Sequence, residues 1–356
     1  MVIHYDILYV CLEFKKWNLA RPWTYPANLG LEEGFKYNNL NYFTLTTPLL
    51  NHAKELCKGK TFSQVWIEIV HQEFDNKFLQ WLKEIAPLRI GLIFESLEID
   101  KINSNDIDSL IKRKNNVIIK SNYLTHSICV DEIDVNFFNN DLKIPSFWWP
   151  SCVPLNYIQK NQKKLKNKKA VFSGTLYGER LKLIESVNSL DIVENKQSSD
   201  VYNFYHVLFD LIHLILDFFL KLRLYKIYNI YIRLLRLIRK KNFTIYLNFI
   251  STYSVVINLP SVLKSYPGRV IEAMAVKSVV VTNHINDRPL NQKLFKNEKD
   301  IIFYDSKNKD DFKSKLLELL NDDKKMSEIS NNALNNLIEN HTVENRIHQV
   351  LDWLNK

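Results

Sequence analysis

The sequence predicts an α/β protein with two parallel sheets in tandem, each covered by helices on both faces. Three observations carry this. The chain has 356 residues with 46% hydrophobic and 24% charged content, too long for one ordinary domain and apolar enough to bury two cores. Short apolar runs of strand length alternate with segments of helical spacing, the pattern of a parallel sheet between helices. The alternation stops at a basic, almost apolar-free stretch between Tyr157 and Lys169 and then resumes.

In the first half, Ile7 to Leu12 reads as a buried strand, Leu29 to Tyr37 as a helix and Tyr42 to Thr46 as a strand. Gln64 to Val70 is the next strand. Asp75 to Ile85 places Phe78, Leu79, Leu82 and Ile85 on one helical face, and Leu88 to Phe94, Ser127 to Val130 and Pro145 to Trp149 complete the series. In the second half, Ala170 to Ser173, Leu190 to Val193, Ser254 to Leu259, Ser278 to Thr282 and Ile301 to Tyr304 read as strands. Glu179 to Val187 and Arg269 to Val276 read as helices. The expected division is a first domain over 1–155, a linker over 156–169, a second domain over 170–338 and a C-terminal helix over 339–356 packing back on the first domain.

Residues 204–241 differ. His206, Asp210, His213, Asp217 and Lys221 fall on one helical stripe within a strongly apolar segment that ends in cations. Two readings stand: a helix or helix pair packed on its own domain, or a basic amphipathic surface touching an acidic membrane. A membrane span is disfavoured by Asp210 and Asp217.

Lys and Arg exceed Asp and Glu by 48 to 39, a net charge of +9 that favours anionic partners. Nucleic acid, an acidic membrane and a phosphorylated small molecule all qualify. A nucleic-acid module is not supported, since no zinc-finger spacing or aromatic-rich binding motif accompanies the charge. Cys11, Cys57, Cys129 and Cys152 are scattered without a C-x-x-C pair and read as reduced core residues. The start shows no basic n-region with a following apolar run, so a cytoplasmic address is expected.

Several chemistries drop out. Gly59-Lys60-Thr61 imitates the end of a P-loop, but Lys54 stands where that loop needs glycine. No G-x-G-x-x-G follows the first strand and no G-x-S-x-G occurs. Asp106 and Asp108 open a polar helical stretch and suit capping better than metal binding, and the histidines lack ligand spacing, so no metal is expected.

Glycine is scarce, seven residues or roughly 2% against about 7% in ordinary usage, so each marks a backbone constraint. Three of the seven, Gly174, Gly178 and Gly268, fall in two strand-to-helix stretches of the second half. In an open α/β sheet, ligands bind outside the carboxyl ends of the strands. Gly174 lets the backbone approach a ligand, and Arg180 adds a charge. Equally, this stretch reads as a tight turn alone. Gly268 and Arg269 stand at a helix start, where unpaired amides and the dipole favour phosphate. Glu272, one turn deeper on the same face, offers two oxygens to a pair of ribose hydroxyls, or simply favours the helix start.

Gly268-Arg-Val-Ile-Glu-Ala-Met-Ala-Val-Lys-Ser-Val-Val-Val-Thr282 and Phe295-Lys-Asn-Glu-Lys-Asp-Ile-Ile-Phe-Tyr-Asp305 resemble the carboxy-terminal domain of nucleotide-sugar glycosyltransferases of the GT-B fold. The nearest type is "glycosyl transferases group 1", related to spore-maturation glycosyltransferases. Ser173-Gly-Thr-Leu-Tyr-Gly-Glu-Arg180 is similar to the family's phosphate-side loop. The resemblance covers roughly 170–350. In the first half it extends only to the strand-helix rhythm and segments such as Val65 to His71 and Gly91 to Ser96.

The resemblance implies two Rossmann-like domains facing across a cleft, the donor held by the second and the acceptor by the first. It implies that Glu272 binds the ribose while Gly174, Thr175, Gly268 and Arg269 line the diphosphate with help from Arg180. Relatives carry a second Glu eight residues before the first; here that position is Lys264, which faces either phosphate or solvent. The implied activity is metal-independent transfer of a sugar from a nucleotide-sugar donor to a hydroxyl of a glycan, lipid-linked or small acceptor, as in cell-surface polysaccharide biosynthesis. No cofactor beyond the donor is expected. If the transfer inverts, a first-domain base takes the acceptor proton, and His71 and Glu95 at strand ends are the candidates. A non-catalytic nucleotide or sugar binder using the same cleft is the alternative.

Overall fold

The computed structural model describes residues 2–13, 30–98, 107–159, 166–196 and 205–356. Asp106, residues 160–165 of the expected linker and residue 204 lie outside this set, as do the side chains of Asp108 and His206. The first domain runs β1 (Ile3–Cys11), α1 (Gly30–Tyr37), β2 (Tyr42–Thr46), α2 (Ala53–Leu56), β3 (Lys60–Glu68), α3 (Asn76–Ile85), β4 (Leu88–Ile93), α4 (Ile107–Ser121), β5 (His126–Cys129), α5 (Glu132–Asn140) and β6 (Ser146–Trp148). Its strands form one parallel sheet in the order β2-β1-β3-β4-β5-β6.

The second domain runs β7 (Asn167–Ser173), α6 (Glu179–Asn188), β8 (Val193–Lys196), α7 (Tyr205–Lys221), α8 (Tyr228–Ile250), β9 (Tyr253–Asn258), α9 (Gly268–Ala275), β10 (Val279–Asn283), α10 (Pro289–Gln292), β11 (Ile302–Tyr304), α11 (Lys309–Leu320) and α12 (Asp323–Asn340). Its sheet is again parallel, ordered β11-β10-β9-β7-β8. The pleat sorts its side chains by parity. Val171, Val256, Val280 and Phe303 join a core shared with the first domain, while Phe172, Val255, Ile257, Val281 and Tyr304 face α6 and α11. Among the described residues Cys11, Cys57, Cys129 and Cys152 form no disulfide.

Three expectations shift. The strand expected at Leu190 to Val193 lies at Val193–Lys196, because Asp191 takes φ of 49° in a turn. The linker is shorter than 156–169: β7 begins at Asn167, and the Lys166 ammonium donates to the carbonyls of Val276 (2.9 Å) and Lys277 (2.7 Å) and to Ser278 Oγ (2.9 Å). Residues 205–250 form the expected helix pair, α7 and α8, inserted between β8 and β9, but it is bonded to the first domain as well as its own.

The chain crosses between domains twice, at adjacent places. Val153 pairs with Thr342, with Val153 N donating to His341 O (3.2 Å) and Val343 N to Val153 O (3.1 Å). Beyond this pairing α13 (Val343–Leu354) lies across α1 of the first domain. The fit depends on Gly34, where a Cβ would stand 2.6 Å from Ile347 Cγ1 and 2.8 Å from Val343 Cγ1. A Gly34→Ala substitution is expected to force the helices apart at a cost of about 1–3 kcal/mol. Thermal unfolding should register it as a lowered midpoint with unchanged secondary structure.

Candidate functional site

In each sheet the strand order reverses once, between β1 and β3 and between β7 and β9, and loops leaving the carboxyl ends at such a point open a crevice. In the second domain these loops are 174–178 after β7 and 259–267 after β9. Gly178 takes φ of 48° at the start of α6, which lets the first loop turn sharply. Arg180 ties the two loops together: its Nε donates to Pro260 O (2.5 Å), its Nη1 to Thr175 O (2.9 Å), and its guanidinium lies 4.2 Å from the Tyr177 ring centre. Buried this way, Arg180 is a brace for the loops. The Thr175 side chain is exposed at the mouth, and Lys264 is half-buried in the second loop.

Arg269, in the first turn of α9, reaches across to the first loop. A Cβ on Gly174 would stand 2.8 Å from its Nη2, so a larger residue there would displace the guanidinium from this position. The guanidinium lies 4.9 Å from the Phe172 ring centre, and Nη1 donates to Asn258 Oδ1 (3.2 Å). Its Nε is buried without a hydrogen-bond partner, a donor in want of an acceptor.

Glu272 is 8% exposed and curls back beneath this turn. A Cβ on Gly268 would stand 2.9 Å from its Oε1, so the second glycine exists to admit the carboxylate. Burial pushes Glu272 up to about 7, opposed by the charge of Arg269 and by the hydroxyl of Tyr246, which donates to it. Glu272, expected at the ribose, therefore lies beside Arg269 and is drawn in toward Tyr246. Asn258, Tyr246 and Tyr304, whose hydroxyl donates to Asn258 O (3.2 Å), were not among the expected site residues. A polar residue closing the apolar run Val255-Val-Ile257 was the one available signal for Asn258. Tyr246 comes from α8 and had none.

In the first domain, His71 and Glu95 meet at the ends of β3 and β4. His71 Nδ1 lies 2.8 Å from Glu68 Oε1 and its Nε2 3.0 Å from Glu95 Oε2. Burial would lower the imidazole, but hydrogen bonds to Glu68 and Glu95 override it and hold His71 up at about 9. Glu95, raised by burial, is pulled below the usual carboxylate range by His71 and by Arg113, whose Nη1 lies 2.6 Å away. Lys120 fixes the turn around His71 by donating to Ile69 O (2.7 Å) and Gln72 O. At neutral pH His71 is thus an imidazolium held between two carboxylates, with no lone pair to offer. The carboxylates Glu68 and Glu95 are the members of the cluster with lone pairs. Glu68 and Arg113 escaped the sequence reading because each lies within an otherwise ordinary strand or helix.

The two half-sites share one cleft. Arg288, in the loop after β10, places Nε 2.6 Å from Asp131 Oδ1 and Nη2 3.0 Å from Asp131 Oδ2 in the loop after β5. Its Nη2 also reaches Glu98 (3.1 Å), while Ser96 Oγ donates to Asp131 Oδ2 (2.5 Å). Beside it, the amides of Leu290 (3.1 Å) and Asn291 (2.8 Å) donate to the Glu132 carboxylate. A contact between loops leaving the carboxyl ends of both sheets requires those ends to face each other. Among the described residues, no group of three His, Cys, Asp or Glu side chains is gathered to hold a metal ion.

Residues 239–352 match the family described as "Glycosyl transferase-like". No curated protein matches the chain. Among solved structures, a TarM variant of S. aureus in complex with UDP, alpha-GlcNAc-glycerol and fondaparinux is 17% identical with a TM-score of 0.54. That match covers 86% of this chain, which spans only 58% of the TarM chain. Sucrose-phosphate synthase from Thermosynechococcus elongatus is 10% identical with a TM-score of 0.60, covering 98% of this chain and 99% of that one. HepE of Anabaena in complex with UDP-glucose is 10% identical with a TM-score of 0.54, covering 98% and 100%. These likenesses establish the fold as GT-B, two Rossmann-like domains across a cleft.

Two pH dependences follow from the site. His71 holds its proton more tightly folded than unfolded, so its stabilisation is full below its ordinary value of 6.5 and is lost as pH rises through about 9. Melting midpoints between pH 7 and 9.5 should decline less steeply in His71→Gln. Glu272, with a folded value raised to about 7, contributes stability that is full below about 4.5 and lost as pH rises through 7. Glu272→Gln should flatten the midpoint profile between pH 5 and 7.5.

Proposed function

We propose that this chain is a glycosyltransferase that moves a sugar from a nucleotide-sugar donor to a hydroxyl acceptor. Arg269 carries the reading: a guanidinium at a helix N-terminus, beside a glycine loop, with a buried nitrogen lacking an acceptor. Such a group, with the amides of α9, suits the diphosphate of a leaving nucleotide. The family match over 239–352 and the UDP and UDP-glucose bound by the structural neighbours support it. Within the family we favour the "group 1" type related to spore-maturation enzymes.

Breaking the bond between the anomeric carbon and the diphosphate builds negative charge on the leaving oxygens. Arg269 and the helix amides meet that charge where closure of the cleft excludes water. This arrangement asks for no metal and no cofactor beyond the donor. Glu272 takes the ribose hydroxyls, Gly174 and Gly268 let the diphosphate approach the backbone, and Thr175 and Lys264 border it. The acceptor, a glycan or lipid-linked hydroxyl, lies against the first domain. In an inverting transfer its oxygen attacks the anomeric carbon and its proton passes to Glu95, with His71 as the positioning partner. The reading places the enzyme in the cytoplasm, at the inner face of an acidic membrane.

A thermal-shift screen with nucleoside diphosphates and their sugars tests this, because a ligand that binds only the folded state raises the midpoint. At least one should do so, and Arg269→Ala should weaken it tenfold or more. Glu95→Gln should keep donor binding and lose transfer. If no nucleotide shifts the midpoint, the proposal fails; binding with neither transfer nor donor hydrolysis would instead identify a non-catalytic nucleotide binder.

A further inference from the structure

The α7–α8 hairpin carries apolar residues on two opposite faces. One face packs inward through Ile212, Leu216 and Leu220 of α7 and Tyr231, Leu235 and Ile238 of α8, and it is fixed to the first domain by polar contacts. The Tyr228 hydroxyl donates to Thr44 O (2.8 Å), Arg236 pairs with Glu32, Arg239 with Glu13, and Lys240 with Glu33 (2.7 Å). Those three cations, expected on a membrane-facing surface, are instead spent on first-domain carboxylates.

Among the described residues the outer face has no such partner. Leu211, Leu214, Ile215, Phe218 and Leu222 recur at helical spacing along α7 and into the turn, and Ile230, Leu234 and Leu237 do so along α8, all exposed. Ten of the seventeen exposed large apolar side chains among the described residues fall between Leu208 and Leu237, far more than scattered surface apolars would give. Lys221, Arg223, Lys226, Arg233 and Lys241 are exposed along the same hairpin. Its acids are Asp210 and Asp217, both on α7, and α8 has none.

We propose that the outer face of the α7–α8 hairpin seats the protein on an anionic lipid bilayer, with Leu214, Ile215 and Phe218 entering the headgroup boundary and the cations meeting lipid phosphate. The hairpin lies on the membrane: among the described residues no helix is long and apolar enough to cross one. A second copy of the chain fits this face less well, since it would bring the same excess of cations over acids to the contact. An anionic headgroup layer supplies the opposite charge everywhere along the stripe. The proposal deepens the membrane-side reading of the transferase above. Vesicle binding is read without donor, so it fails or holds independently of nucleotide binding.

The test is flotation of the full chain with vesicles of phosphatidylcholine alone and of phosphatidylcholine with about one-third phosphatidylglycerol, at low and high salt. Binding to the anionic vesicles should be strong and fall steeply with salt. Leu214→Glu with Phe218→Glu should reduce it at least tenfold while the melting midpoint and the nucleotide-induced shift stay as in the parent, both sites being well exposed. Arg223→Glu with Lys226→Glu should abolish the preference for anionic vesicles. The proposal is overturned if the parent does not float with anionic vesicles, if the Leu214 and Phe218 variant floats equally well, or if those substitutions dissociate a dimer seen by sedimentation without changing lipid binding.

Discussion

The buried pair between Arg288 and Asp131 makes one machine of two domains. Arg288 is 2% exposed and Asp131 fully buried, so each charge depends on the other for compensation, and removing either partner from such a pair costs about 3–5 kcal/mol. Neither side chain could be buried alone. Their meeting fixes the carboxyl edges of both sheets opposite one another, and this brings the Arg269 turn and the Glu95–His71 cluster to the walls of one cleft. Every functional reading of those residues presupposes this alignment.

Within the second-domain wall, two glycines act by absence. Gly174 yields space to the Arg269 guanidinium and Gly268 to the Glu272 carboxylate, so backbone vacancies position charged groups that would otherwise be displaced. The first-domain wall works differently. There, proximity of opposite charges sets protonation: carboxylates on both sides keep the His71 imidazole charged, and that charge with Arg113 keeps Glu95 ionised. One wall gathers positive charge at a helix start, while the other sets carboxylates around a charged imidazole.

The strand-helix rhythm was legible because buried parallel strands are short apolar runs and their covering helices are periodic, and the scarcity of glycine pointed to the two loops that gather around Arg269. Partnerships were not legible. Arg180 and Arg269 look alike in a sequence, yet Arg180 is consumed by carbonyls of its own loops while Arg269 keeps an unpaired nitrogen. Arg236, Arg239 and Lys240 look like surface cations and are held by first-domain carboxylates more than two hundred residues earlier in the chain. Tyr246 sits behind Glu272 only because a hairpin inserted between two strands folds back along the sheet. Local spacing carries no record of such long-range pairing.

The paired crossings at Val153 and Thr342 have a mechanical consequence. A single connecting segment would leave one domain swivelling on a tether with three rotational freedoms. Two segments bonded side by side, with α13 anchored on the far domain and the α7–α8 hairpin and the Arg288–Asp131 pair bridging the domains beside them, resist twist and sideways slip together. Contacts spread over several separate places therefore hold the two walls in one registration.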